Sequence, residues 1–145
     1  MRVGTRLLKL LIDGTEYTAE VTKCVINSAA ADSSLQTFAA AANGGVRVYT
    51  LQGTAIQDMA STSLWAKIFS ARGKTVPVVV NPYGVDTFTE DTPGYEGNVV
   101  ITDPDGDFLG GQADSTVNKA QLFNFTWEFD GEPTLITTGN FTTAA

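Results

Sequence analysis

The 145-residue chain contains no histidine. The commonest general base and the commonest transition-metal ligand are therefore missing. There is one cysteine, Cys24. That excludes an internal disulfide and any zinc site built from several thiolates, with or without imidazoles. A lone thiol fits a reducing interior better than secretion. Basic residues are scarce: 9 Lys and Arg stand against 16 Asp and Glu, for a formal charge of -7. A nucleic-acid grip needs cations that displace phosphate counterions, so this balance argues against one. It is compatible with a protein that stays near DNA without holding it. No run approaches the ~18 consecutive apolar residues of a membrane span. "MRVGTRLLKLLIDGTEY" has the outline of a signal peptide, but Lys9 interrupts its apolar run and Asp13 follows, so it reads as a strand.

What is present is a β pattern. The length suits one domain, residues 1–145, and 43% hydrophobic content is enough for a core. "LLKLLIDGTEYTAEVTKCVI" reads as a hairpin turning at Asp13-Gly14. After the turn, Tyr17, Ala19 and Val21 alternate with Glu16, Thr18, Glu20 and Thr22, which predicts a strand with one apolar and one polar face. "NSAAADSSLQTFAAAANGG" carries no strand pattern and reads as a long surface loop over about 27–45, with a possible short helix from Leu35 to Ala42 closed by Asn43-Gly44.

Further strands are expected in "GVRVYTLQGTAIQ", "KTVPVVVNP", "YEGNVVIT" and "KAQLFNFTWEFDG", with a weak last strand and tail over about 133–145. Pro77 lacks a backbone donor and suggests an edge or a bulge. In the best strand, Phe123, Phe125, Trp127 and Phe129 alternate with polar residues and predict a core face. One amphipathic helix is expected over about 61–72. Leu64, Trp65, Ile68 and Phe69 share its apolar face, Ser61 to Ser63 offer caps and Gly73 a stop. About seven or eight strands with one helix predict a mainly β domain: a sandwich or small barrel flanked by that helix.

No constellation calls for a reaction. "DPDGD" places Asp103, Asp105 and Asp107 as in a calcium loop but lacks the closing Glu, and Pro-Asp-Gly is turn chemistry. Gly44-Gly45 and Gly110-Gly111 lie outside any phosphate-loop pattern. Cys24 has no histidine to activate it and reads as a structural residue. No pair of carboxylates is singled out, and neither a cofactor nor a metal is expected.

The succession "TFAAAANGGVRVYTLQGTAIQD", "TSLWAKIFSARGKTVPVVVNP", "YEGNVVI", "LGG" and "FNFTWEF" resembles the tail tube proteins (major tail proteins) of long-tailed bacteriophages. The likeness spans about Val21 to Phe129, and the Ser-Leu-Trp helix followed by Gly-Lys-Thr-Val-Pro is its most specific part. It implies a structural, non-enzymatic virion protein, made in the host cytoplasm, that forms hexameric rings stacked into a tube. Its partners would be copies of itself and other tail proteins such as the tape measure and the tail terminator. DNA would pass through without specific binding, and no membrane is involved. On this reading the polar face of Glu16, Thr18, Glu20 and Thr22 is a candidate lumen lining. Asp32, Ser33, Ser34 and Leu35 are candidates for an assembly loop. The tube protein of type VI secretion systems shares the implied fold and is an alternative relative. A carbohydrate- or ligand-binding β-sandwich is the alternative from another class.

Overall fold

Asp13 and Gly14 both adopt positive φ, 50° and 79°, as a two-residue hairpin turn requires. The computed structural model describes residues 2–30, 37–45, 47–104, 106, 108–116 and 119–141. The turn joins β1 (Lys9–Ile12) to β2 (Thr15–Glu16), with Ile12 paired to Thr15. Next come β3 (Val21–Ala30), helix α1 (Phe38–Ala42), β4 (Arg47–Ile56) and helix α2 (Leu64–Ser70). Strands β5 (Thr75–Asn81), β6 (Gly94–Val100), β7 (Leu122–Phe129) and β8 (Thr134–Ile136) complete the order.

All eight strands belong to one antiparallel sheet, in the order β2-β1-β5-β6-β7-β4-β3, with β8 on β6. The β6–β7 junction is narrow, since only Val99 and Val100 pair with Phe129 and Glu128. The sheet curls there. Leu10 and Ile12 from one flank join Leu51 and Ala55 from the other in a single buried cluster. The protein is thus mainly β, a curled sheet closed over its core with a short helix against it.

Sequence explains how the core fits. Phe123, Phe125, Trp127 and Phe129 are all buried, in strict alternation along β7. Opposite the first two on β4 stand small residues: Ala55 faces Phe123 and Gly53 faces Phe125. A Cβ on Gly53 would lie 2.5 Å from the Phe125 ring and 2.5 Å from the Lys23 carbonyl oxygen, so glycine is what lets three strands meet there. Strand β5 is buried on both faces, as its unbroken Val run demands. Val76, Val78 and Val80 face the main cluster, and Val79 joins Leu11, Phe88 and Phe141 in a second one.

Four expectations need correction. Pro77 is on a central strand, not an edge. Its carbonyl accepts from the Asp13 N–H at 2.8 Å, where β1 has given way to the turn. The N–H it lacks would point the same way, toward Asp13 at the turn, so the proline forgoes only a bond at the very end of the β1–β5 ladder. Residues 27–30, read as loop, continue β3 and pair with Arg47–Thr50. Both faces of that stretch are exposed, so no alternation marks it. The tail is anchored as far as Phe141, which is buried and whose N–H donates to the Asp86 carbonyl at 2.9 Å. The helix is shorter than 61–72 because Ser63 caps it, its Oγ accepting from the Ala66 N–H at 3.1 Å.

Candidate functional site

An antiparallel sheet ends in two edges, and this protein treats them differently. At one edge β2 is only two residues long. Beyond it, the Thr18 hydroxyl accepts from the Leu10 N–H at 3.2 Å, and the Leu10 carbonyl accepts from the Tyr17 N–H at 3.0 Å. The backbone groups that Leu10 turns outward beyond β2 are thus satisfied within the subunit.

The other edge is β3, ten residues long and paired only with β4 among the described residues. It extends about 33 Å, and every second residue turns its N–H and C=O away from β4. Such an edge is a template for another chain. Lys23 is its one charged residue and the simplest guard against indiscriminate pairing. Beyond Thr50, β4 no longer pairs with β7, so residues 28–30 and 47–49 project as a two-stranded ribbon. Arg47 braces the ribbon by donating to the Ser28 hydroxyl at 3.1 and 3.2 Å.

Helix α1 follows at the ribbon's tip. Phe38 is 98% exposed there, and Ala39, Ala41 and Ala42 are exposed as well. A five-residue helix that buries none of these side chains has little to hold it in isolation. The assembly-loop candidates Asp32, Ser33, Ser34 and Leu35 lie outside the described residues.

The lumen candidates do not share one face, because the expected strand breaks. Residues 18–20 form a turn, closed by the Glu20 N–H donating to the Tyr17 carbonyl at 3.0 Å. Tyr17 turns into the core, and burial pushes its phenol above the ordinary value. Glu16 is exposed on β2 and accepts from the Thr18 hydroxyl at 2.8 Å. Thr22, the second residue of β3, donates to the Thr54 carbonyl. Glu20 turns toward α2, where its carboxylate accepts from the Leu64 N–H at 3.3 Å. Burial, and then the nearby Asp58, raises the Glu20 carboxyl above its usual range against the pull of that hydrogen bond.

The apolar face of α2 also divides. Leu64 and Ile68 are fully buried in the core. Trp65 and Phe69 are only half-buried, contrary to the expectation of one buried stripe. They reach the surface, where Phe108, from the connection between β6 and β7, partly covers them. The Trp65 indole donates to the Phe108 carbonyl at 2.8 Å, and the Phe69 ring is 5.5 Å from the Phe108 ring. Gln57 clips the same connection by exchanging two hydrogen bonds with Gly110. The described part of residues 101–121 contains no strand. The Lys67 ammonium, 2.6 Å from the Asp13 carboxylate, ties α2 to the β1–β2 turn.

The chemistry of other side chains is subdued. Burial raises the Cys24 thiol to about 12, so it is not a nucleophile at neutral pH. Asp103 faces Arg72 at 3.4 Å, while Asp105 and Asp107 lie outside the described residues. Among the described residues no three His, Cys, Asp or Glu side chains gather as a metal site. No helix among the described residues is long and apolar enough to cross a membrane. No protein-family model matches the chain, and no curated protein matches it either.

The β3 edge is what reading the sequence missed. Its only signal was negative: a run of small, uncharged residues, which serves a strand edge as readily as a loop.

Proposed function

We propose that the protein is a structural subunit that polymerises through β3 into stacked rings, forming the tail tube of a long-tailed bacteriophage. The observation that carries this reading is the ten-residue outer edge of β3, unpaired among the described residues, in contrast to an opposite edge of only two residues. An open edge of this length favours a partner edge or surface on a neighbour, and repetition around a closed ring would satisfy every copy. The projecting β3–β4 ribbon and the bare Phe38 ring support contacts to further copies. The net charge of -7 supports a conduit that lets DNA slide without gripping it. The ordered succession of motifs from Val21 to Phe129 supports the same assignment. Electron microscopy of the purified protein tests it: tubes or rings of uniform diameter are expected, and persistent monomers at high concentration would contradict it.

One observation favours the second reading, a carbohydrate- or ligand-binding module. Trp65, Phe69 and Phe108 form a half-exposed aromatic group of the kind that stacks on sugar rings. Glycan-array binding that is lost in Trp65→Ala would favour it.

A further inference from the structure

A groove of about 420 Å³ separates the N-terminal segment from the start of β3. Arg6 on one wall and Lys23 on the other are its charged residues, and no acidic side chain lines it. The adjoining hollow, which shares Arg6 and adds Arg2, has no acidic lining either. Arg2, Arg6 and Lys23 are exposed and make no ion pair among the described residues, where the ion pairs are Lys67–Asp13, Arg72–Asp103 and Lys119–Asp114. In a chain with nearly twice as many anions as cations, an unneutralised basic groove has to be accounted for.

The complementary surface is on the same molecule. Glu128, Asp130 and Glu132 crowd the turn where β7 ends, all exposed and without an ion pair among the described residues. Arg47 borders the same hollow, but its guanidinium is engaged with the Ser28 hydroxyl. Strand register separates the two surfaces. Val21, at the groove, pairs with Ala55, which pairs with Phe123. Glu128 lies five residues further along β7, or about 17 Å. The basic groove and the acidic turn therefore occupy opposite ends of the β3–β4–β7 strands. Surfaces so placed cannot satisfy each other within one subunit. Between copies they join head to tail, which propagates instead of closing a two-fold dimer.

We propose that the groove bounded by Arg6 and Lys23 docks the Glu128–Glu132 turn of a second copy, setting the polarity with which subunits stack. This rests on the tube reading and names the contact between successive copies, made by charged side chains beside the start of β3 and not by the outward amides of its edge.

Charge reversal tests it. One variant carries Arg6→Glu with Lys23→Glu, and the other Asp130→Lys with Glu132→Lys. All four side chains are exposed, so near-UV circular dichroism of each variant should match the wild type. In sedimentation velocity at low ionic strength, each variant alone is expected to need at least tenfold more protein to associate. An equimolar mixture should regain wild-type association, because each altered surface then meets its opposite. General repulsion predicts otherwise: reversal at the turn lowers the net negative charge and would strengthen association. Either variant assembling alone like the wild type, or a mixture that does not recover, would overturn this contact while leaving the tube reading intact. Binding of a short polyanion in the groove without any association of copies would overturn it too. A wild-type chain that stays monomeric at every concentration would overturn both.

Discussion

The Glu20 carboxylate accepts a hydrogen bond from the backbone N–H of Leu64, 3.3 Å away, at the first residue of α2. A side chain whose sequence pattern pointed to a channel wall instead supports the helix, beside the Ser63 cap. Glu20→Ala should cost about 1 kcal/mol of stability, as the loss of a capping interaction does. Glu20→Gln keeps an acceptor and should cost about half that or less. Urea unfolding at pH 7 measures both.

The same residue has a pH signature. Its carboxyl is raised in the folded state, mainly by burial, so the folded protein binds the proton more tightly than the unfolded chain. Stability contributed by Glu20 is therefore present below its unfolded pKa and is lost as pH rises through the folded value. Relative to wild type, Glu20→Gln should be less stabilised by acidification over the range just above pH 4.5, the ordinary value for this group. Identical pH profiles for the two proteins would show that Glu20 does not titrate in this way.

The split of the α2 face predicts unequal truncations. Leu64→Ala removes a fully buried side chain and should cost about 2–5 kcal/mol. Trp65 is half-buried, and Trp65→Ala should cost less than the ~3–5 kcal/mol of a core tryptophan. Its larger effect should be local, freeing the connection around Phe108. Faster hydrogen exchange at 108–112 in that variant, with the β7 core unchanged, is the expected result.

Gly53→Ala is a probe of strand packing. The added methyl meets both the Phe125 ring and the Lys23 carbonyl at 2.5 Å, and the carbonyl cannot yield without moving β3. Overpacking of this kind costs about 1–3 kcal/mol or more. Since β3 is the strand displaced, assembly should suffer beyond the loss of stability, which light scattering compared with thermal unfolding would separate.

Cys24 should be nearly inert. With its thiol raised to about 12 by burial, alkylation at pH 8 should run roughly a thousand-fold slower than for a free thiol. Labelling should follow global unfolding in denaturant. Rapid native labelling would show that the thiol is reached through the groove that Cys24 helps to line, and that its burial against the core does not suppress it.

Where a segment has one wet and one dry face, its structure was legible in the sequence. β7 is the clearest case, with Phe123 to Phe129 buried in alternation, and Leu64 with Ile68 shows the same at helical spacing. The Asp13-Gly14 turn was legible because its backbone needs positive φ. Segments whose conformation is set by neighbouring strands or by tertiary contacts were not. Residues 27–30 are strand only because β4 pairs with them, and no burial pattern records that. The alternation from Glu16 to Thr22 was genuine in sequence, but the inward turn of Tyr17 and the pull of α2 on Glu20 break it. Trp65 and Phe69 looked like core because periodicity cannot tell a buried face from one shared with a connection such as that bearing Phe108.

Hydrogen–deuterium exchange over β3, compared between dispersed and assembled protein, tests the assembly edge most directly. In the dispersed protein, amides of Val21–Ala30 that point away from β4 have no strand partner and should exchange quickly. Assembly through this edge should protect them by at least a hundred-fold, while β7 changes little. Assemblies in which those β3 amides exchange as fast as in the free subunit would contradict the account.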